Sequence, residues 1–227
     1  MKNLFVLFLL TFLIISYIPP TNAQFRIGVQ TGINVTDLKT DLTEQGFKTA
    51  SRTRFIAGGI LNYNFIPLLG IQFEPAYIQK GATVNFLFVE NSLTADVEGT
   101  ISANYIDLPL LLKLNIPTVL IKPYLIAGGS IALKLGDAKL KIEKATVNGQ
   151  DFSSLIPEEE REQTIKLKSN DYIVSFGGGV EIPVGLLSLL LEARYDLGLE
   201  NINDEPDDDT EYKTRGIQIK AGILIEL

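Results

Sequence analysis

The side-chain pattern of residues 186–200, "LLSLLLEARYDLGLE", is the feature that most constrains how this chain can fold. Leucine, alanine and tyrosine occupy its odd positions, whereas Glu192, Arg194 and Asp196 all stand at even positions. Successive side chains of a β-strand point to opposite faces, so this period predicts a strand with one apolar and one charged face. A slip of one residue would move all three charges to the apolar side, so the register is strongly specified.

The same alternation recurs through the rest of the chain and predicts eight strands. They cover residues 25–35, 54–65, 70–80, 104–115, 123–135, 172–183, 186–200 and 215–227. Three predicted connections are short: residues 66–70, 116–123 and 183–185. Four are long and polar: residues 36–53, 81–101, 136–170 and 201–211, of which 81–101 extends its two strands and turns near "ENS". Short turns on one side and long connections on the other are typical of a transmembrane β-barrel.

The N-terminus has the composition of a secretory signal peptide. A short basic "MKN" precedes an apolar run of 15 residues, "LFVLFLLTFLIISYI", and a polar segment that ends at the small Ala23. The run is short for the roughly 20 residues that a membrane-spanning helix needs, which disfavours the alternative of a transmembrane anchor. We therefore expect residues 1–23 to be removed and residues 24–227 to form the domain. No other stretch could span a membrane as a helix, so a membrane protein of this sequence must be a barrel.

The composition excludes several kinds of chemistry. The chain has no His and no Cys, which removes the usual triads, thiolate nucleophiles and histidine-based zinc sites. Its net charge of −7 disfavours nucleic acid as a partner, because such binding needs a basic surface. A carboxylate- or lysine-based enzyme remains open. We predict a protein that is not an enzyme and has no cofactor and no metal site.

The alternation alone does not say which face points inward, since a soluble lipocalin-like barrel would have its apolar face inside. The polar face is rich in glycine, as at Gly28, Gly58 and Gly177, and its charges have both signs. A narrow lumen needs small neighbours beside long polar side chains, and opposite charges can neutralise one another there. The predicted fold class is therefore all-β: an eight-stranded antiparallel up-and-down transmembrane β-barrel. The predicted lumen charges are Arg26, Glu74, Asp107, Lys113, Glu181, Glu192, Arg194, Asp196, Lys220 and Glu226.

Five segments carry a resemblance to a known family. They are "FRIGVQTGIN", "IQFEPAYIQKG", "NYIDLPLLLKLN", "KPYLIAGGS" and "FGGGVEI…LLLEARYDLGLENI". On these segments the chain resembles the PorT-like outer-membrane β-barrel proteins of Bacteroidetes, from about residue 25 to residue 227. The resemblance implies the outer membrane of a Gram-negative bacterium as the compartment. It implies no particular activity.

The leading functional hypothesis is a non-enzymatic barrel whose long connections bind or adhere to a partner or extracellular ligand, or which serves an envelope complex. A narrow channel is the second hypothesis, and a soluble lipocalin-like carrier is the third. The charges at Glu192, Arg194 and Asp196 suit a structural network, with a selectivity or proton-relay role as the alternative. The acidic "NDEPDDDTE" suits a solvated loop better than a Ca²⁺ site, because it lacks the spacing of a calcium loop. Some tyrosines are candidates for aromatic girdles: Tyr63, Tyr77, Tyr105, Tyr124, Tyr172 and Tyr195.

Overall fold

The computed structural model describes residues 24–40, 47–90, 93–204 and 210–227, which form one sheet of 11 strands. The predicted signal peptide lies outside the described residues. The strands are β1 (Gln24–Thr40), β2 (Phe47–Ile66), β3 (Leu69–Phe73), β4 (Ala76–Glu90), β5 (Leu93–Asn115), β6 (Lys122–Val147), β7 (Gln150–Asp151), β8 (Glu162–Ile165), β9 (Asn170–Val184), β10 (Leu187–Gly198) and β11 (Tyr212–Glu226). Two single-turn 3₁₀ helices, Ser153–Leu155 and Glu158–Glu160, lie between β7 and β8. No helix in these ranges is long and apolar enough to cross a membrane.

The sheet closes on itself. Strand β1 pairs with β2 on one side and with β11 on the other, and antiparallel pairing continues through β10, β9, β6, β5 and β4 back to β2. Strands β3 and β4 both pair with β2 and β5, and they are the two halves of one wall strand. Pro75, which has no N–H to give to the ladder, stands at the break between them. The wall therefore has eight strands, and the predicted antiparallel barrel is confirmed.

The outer face of the wall is apolar. Along β1 the side chains of Phe25, Ile27, Val29 and Ile33 are exposed, with Val29 as much as 66% accessible. The same holds for alternate leucines of β10 and alternate isoleucines of β11. The apolar run of β1 matches the roughly 9–11 residues with which a tilted strand crosses a bilayer. The predicted outward orientation of the apolar face is what the structure has.

The two ends of the barrel differ in their connections. Residues 67–68, 116–121 and 185–186 join neighbouring strands at what we call the short-turn end. Gly185 has a φ of 64° in one of the two two-residue turns, a backbone conformation that favours glycine. Both described chain ends, Gln24 and Leu227, also lie at this end, since β1 begins and β11 ends beside each other. The opposite end, where the long connections lie, is the long-loop end.

Three of the four predicted long connections are largely strand. The prediction for 36–53 is wrong, because β1 continues to Thr40 and β2 begins at Phe47. The prediction that 81–101 extends its strands is confirmed, although the turn at 91–92 lies outside the described residues. The prediction for 136–170 is wrong over its first part, where β6 runs on to Val147 and pairs with β5, β7 and β8. The polar parts of these strands lie beyond the band of exposed apolar side chains, which we call the apolar belt. They remain strands because hydrogen bonds to neighbouring strands satisfy their backbone groups, and this does not require an apolar face.

The described start of the fourth long connection, residues 201–204, packs with residues 165–168 at the long-loop end, and we call these two segments the cover. Leu167 and Asn203 are paired through their backbones, and Lys168 N donates a hydrogen bond of 2.8 Å to Ile202 O. Residues 205–209, in the middle of the acidic "NDEPDDDTE", lie outside the described residues, so the alternatives for this loop stay a prediction.

The predicted tyrosine girdle is correct for only part of its members. Tyr63 and Tyr172 are exposed on the outer face, whereas Tyr105 and Tyr124 are buried inside the barrel. Their positions follow the alternation, because Tyr105 shares its parity with Asp107 and Tyr124 shares its parity with Ile126. Closeness to a strand end is therefore a poorer guide to the girdle than the parity of the residue.

Candidate functional site: the charges inside the barrel

The inward positions of the wall strands bring together the charges that the sequence predicts for the lumen. Eight of them are buried and Asp196 is half-buried. We call this set the lumen network: Arg26, Glu74, Asp107, Lys113, Glu181, Glu192, Arg194, Asp196 and Lys220. Glu226 does not belong to it, and its prediction is wrong. It is exposed because it is the last residue of β11, at the open rim of the short-turn end.

Glu74 is the centre of the lumen network. It stands at the break between β3 and β4 and is fully buried. Its carboxylate forms ion pairs with Lys220 and with Arg194, whose Nη1 lies 3.2 Å from Oε2. It also accepts hydrogen bonds from Gln30 at 2.9 Å and from Gln72 at 2.5 Å. A buried carboxylate is costly unless it is paired and hydrogen-bonded, and this one has four partners.

Lys220 extends the centre to the next strand. Its Nζ lies 2.8 Å from Oε1 of Glu192, and the two residues are direct cross-strand partners on β11 and β10. Glu192 Oε2 accepts a hydrogen bond of 3.0 Å from the Tyr124 hydroxyl. Gly179 makes room for this ring, because a Cβ there would lie 2.5 Å from the tyrosine oxygen. This contact is the structural reason for glycine in part of "FGGGV".

A second group of charges surrounds Glu181. Its carboxylate receives a hydrogen bond of 2.6 Å from Arg26 Nη1 and forms an ion pair with Lys113. Arg26 also donates to Asn62 Oδ1 from Nε at 3.1 Å and from Nη2 at 2.7 Å. The ammonium group of Lys113 lies 4.0 Å from the centroid of the Tyr124 ring, a favourable cation–π distance. Tyr124 therefore links the Glu181 group to the Glu74 group.

Two aspartates complete the lumen network. Ser130 donates a hydrogen bond to Asp107. Asp196 accepts one of 2.6 Å from Ser175 and one of 2.5 Å from Gln218. Arg194 Nε lies 3.4 Å from Asp196, so this guanidinium is shared between Glu74 and Asp196.

A further buried ion pair joins Lys80, a residue of the polar face of its strand, to Asp171, which was not among the predicted lumen charges. Lys80 Nζ lies 2.7 Å from Asp171 Oδ2, which also accepts a hydrogen bond of 2.7 Å from Thr214. Parity carries the signal for both: Lys80 shares the inward face of Glu74, and Asp171 shares that of Ser175. Neutral amides of the same polar face accompany the charges. Gln30, Asn62, Gln72 and Gln218 alternate with the charges and are buried.

Towards the long-loop end the inside of the barrel becomes apolar. We call the following buried cluster the vestibule: Leu38, Ile56, Ala76, Ile78, Ala82, Ala103, Tyr105, Ala132, Ala138, Leu167, Ile173 and Ile202. Leu167 and Ile202 come from the cover, and the other members come from the wall. Lys80 stands at the boundary, with its Nζ 5.0 Å from the centroid of the Tyr105 ring. The barrel interior thus has a charged region and an apolar region.

A polar cluster at the long-loop end lies beyond the apolar belt. Glu143 Oε1 accepts hydrogen bonds of 2.6 Å from Thr100 and of 2.9 Å from Arg52 Nη1. The hydrogen bond from Thr100, followed by the contact with Arg52, lowers the pKa of the Glu143 carboxyl from its usual 4.5. Both charged side chains are about a third accessible. Solvent therefore screens the pair, and its contribution to stability is small.

The chemistry open to these sites is limited. Every carboxylate of the lumen network has a cation or a hydrogen-bond donor beside it. In the described part of the chain, no group of three or more acidic side chains is placed to hold a metal ion. Five buried bases face six acids once Lys80 and Asp171 are included, so the interior is close to neutral. Such a set fills and stiffens a lumen more readily than it attracts a charged solute.

A closed barrel with an apolar belt and an ion-paired interior defines an outer-membrane type of β-barrel. The family model described as "Outer membrane protein beta-barrel domain" matches residues 21–204. The chain belongs to this family. No curated protein matches the sequence.

Several solved outer-membrane proteins have a similar fold in outline. OprG of Pseudomonas aeruginosa is 15% identical over 92% of this chain and 99% of its own, with a TM-score of 0.48. Neisserial surface protein A is 14% identical over 88% and 97%, with a TM-score of 0.42. Ail, the attachment invasion locus protein of Yersinia pestis, is 13% identical over 89% and 99%, with a TM-score of 0.41. Similarities of this size carry no argument about binding or activity.

Proposed function

We propose that this protein is a non-enzymatic barrel of a Gram-negative outer membrane, closed to solutes, that binds a partner at its long-loop end. The short-turn end faces the periplasm and the long-loop end faces outward, as is usual for such barrels. In this proposal residues 1–23 are a signal peptide removed near Ala23, and residues 24–227 are the mature domain. The motifs in "IQFEPAYIQKG" and "NYIDLPLLLKLN" support a place among PorT-like barrels of Bacteroidetes.

The packed interior is the observation that carries the proposal. Glu74, Lys220 and Glu192 meet across the lumen with no more than 1% of their surface accessible. An eight-stranded barrel is only wide enough for side chains to fill it. A conducting pore needs a continuous water-filled path through the lumen. The contacts among these three side chains block such a path. We assign the lumen network a structural role as a plug, which ranks the narrow channel below a binding function.

The apolar outer face favours a membrane barrel over a soluble lipocalin-like carrier. A lipocalin-like protein keeps its apolar face inside for a ligand and presents polar side chains to water. Here exposed leucine, isoleucine and phenylalanine cover the wall, and the charges lie inside. The arrangement therefore favours lipid as the surroundings of the barrel.

The hairpin of β4 and β5 is the best candidate for the partner surface. At its tip Phe88 and Val89 are 61% and 69% accessible, and Leu87 and Leu93 are also exposed. The rings of Phe86 and Phe88 are stacked with centroids 6.4 Å apart. These residues lie past the end of the belt, where water would surround them. Contiguous apolar side chains in such a place indicate an interaction site.

Conductance of the purified barrel in planar bilayers tests the closed lumen. We expect no steady single-channel steps from the unmodified protein. Steady steps that disappear on neutralising Arg194 (R194Q) would favour the channel instead.

Crosslinking in the native outer membrane tests the partner surface. A photoreactive residue in place of Phe88 should yield a discrete adduct, and the same residue in place of the exposed Leu155 serves as the matched control. Adducts that form equally at both positions, or at neither, would contradict binding through the hairpin.

A further inference from the structure

The vestibule leaves a cavity that its own side chains do not fill. The cavity has a volume of about 180 Å³ and lies among β1, β2, β4, β5, β6 and β11, beneath the cover. Buried lining residues include Leu38, Phe47, Val84 and Leu167. Protein interiors are otherwise packed as closely as organic crystals, so an unfilled, partly open space of this size between the wall and the cover is a candidate ligand site.

The lining is mostly apolar, with Lys166, Asn203 and Tyr212 as its polar or charged members. The cover uses several of its own polar groups in hydrogen bonds. Lys168 N donates to Ile202 O at 2.8 Å, and Ile202 N donates to Tyr212 O at 2.9 Å. The side-chain amide of Asn203 donates to Thr210 O at 3.0 Å. With these donors already in hydrogen bonds, the cover turns Ile165 and Leu167 towards the cavity. A bound water needs two to four polar partners, and this lining is poor in them.

Aromatic rings form one side of the cavity. Phe47 and Phe86 meet edge to face, with centroids 4.8 Å apart and planes at 62°, and both line the cavity. Tyr212 adds a third ring to the lining. Aromatic side chains favour another ring at their edge or face, which distinguishes such a ligand from an alkane of equal size.

We propose that the vestibule is a binding site for one small monocyclic aromatic molecule, such as a methyl- or ethyl-substituted benzene. The size fits, since an apolar cavity of about 150 Å³ in another protein stays dry and takes up benzene. The site is distinct from the hairpin tip and does not depend on the partner proposed there. Phe86 belongs to both, because its ring lines the cavity and stacks on Phe88.

The proposal is tested by methyl NMR of the full barrel in lipid nanodiscs, with toluene as the probe. Toluene also dissolves in the bilayer, so methyl groups of the lipid-facing Leu189 and Ile219 serve as internal controls. We expect saturable shifts at the methyl groups of Leu38 and Val84, and linear, smaller shifts at the two controls. Shifts that are linear and equal at all four residues would show partitioning alone and overturn the site.

Two cavity-filling variants and one matched control keep the test decisive. Val84→Phe, or Leu167→Trp on the cover if the first variant does not fold, should abolish saturation at the methyl groups of Leu38. Val29→Phe enlarges an exposed residue of the outer face by the same change and should leave saturation intact. Heat-modifiable migration on a gel verifies that each variant is folded. Saturation that persists in a folded filled variant would overturn the proposal.

The aromatic preference is tested separately with cyclohexane. We expect toluene to saturate the Leu38 shifts at a concentration at least about five-fold lower than cyclohexane, after both are corrected for partitioning into lipid, which corresponds to about 1 kcal/mol of aromatic contact. Equal or tighter saturation by cyclohexane would overturn the assignment to aromatic ligands.

Discussion

The lumen network and the vestibule fill the interior of the same barrel in different ways, the first with ion pairs and the second with apolar side chains. In the lumen network each charge has a fixed partner, as Glu74 has in Lys220 and Arg194. In the vestibule apolar side chains pack without directional contacts, and a cavity remains beside Leu38 and Leu167. Paired charges tolerate little displacement, whereas apolar packing tolerates a void at moderate cost. The charged region therefore suits a plug, and the apolar region suits a site that accepts a guest.

Removing the central carboxylate should have the largest effect. Glu74→Ala leaves Lys220 and Arg194 buried beside fewer acids, and breaking a buried pair in this way costs about 3–5 kcal/mol. The free energy of unfolding in lipid, measured by urea titration and gel migration, should fall by that amount. Glu74→Gln, which keeps the shape and a hydrogen-bonding oxygen, should lose less. A loss below about 1 kcal/mol for Glu74→Ala would mean that the charged region is not a cooperative unit.

The boundary pair should respond differently to single and double replacement. Lys80→Met leaves the Asp171 carboxylate buried without its cation and should lower the free energy of unfolding by about 3 kcal/mol. Among the described residues, Thr214 is then its remaining close hydrogen-bond donor. Adding Asp171→Asn removes the stranded charge, so the double variant should lie within about 1 kcal/mol of the unmodified protein. A double-mutant cycle on urea unfolding measures the difference. Additive losses would show that the apolar region cannot extend across this boundary.

Truncation inside the vestibule should cost less than loss of the central carboxylate. Ile78→Ala removes a fully buried side chain and should lower the free energy of unfolding by about 2–3 kcal/mol. The same substitution at the exposed, lipid-facing Ile219 is the control and should cost less, because lipid replaces the lost contacts. The expectation fails if the two variants unfold at the same urea concentration.

Replacing Glu143 in the polar cluster outside the belt should change the free energy of unfolding least. It is also the only one of these changes whose effect we expect to depend on pH in the acidic range. The pKa of Glu143 is lowered by Thr100 and Arg52, so its contribution is present above the unfolded value of 4.5 and is lost as the pH falls through the folded pKa. Because the pair is solvent-screened, we expect at most about 0.5–1 kcal/mol. Comparing unfolding at pH 6 and pH 3 with that of Glu143→Gln isolates the effect. An identical pH dependence in both proteins would contradict it.

Parity along each strand predicted most of the charged region. The alternation of Glu192, Arg194 and Asp196 correctly placed all three charges on the inward side, since a two-residue period leaves no other face. Glu226 has the parity of the inward residues but is exposed to solvent, because parity does not indicate where the barrel wall ends. Which charges pair was not predictable, since pairing depends on the stagger between strands, as between Lys80 and Asp171, which are 91 residues apart.

The long-loop end was predicted less well for a physical reason. Residues 36–40, 47–53 and 136–147 lose the apolar face beyond the belt, and without it a polar strand has the same composition as a loop. Their strand structure comes from ladder hydrogen bonds with neighbours, such as those between β5 and the end of β6. The vestibule was not predicted either, because its members, such as Leu38 and Leu167, come from distant parts of the chain and no sequence pattern brings them together.

The length of β5 sets how far the hairpin tip stands from the cell. The strand has 23 residues, and at about 3.4 Å per residue it measures roughly 78 Å along its path. With a tilt of about 40°, that gives a height of about 60 Å, of which an apolar band of about 25 Å is embedded. The tip thus stands tens of ångströms above the lipid, several times the Debye length of about 8 Å in physiological salt. A partner that binds as proposed would be insulated there from the charge of the membrane surface and would meet the exposed rings first.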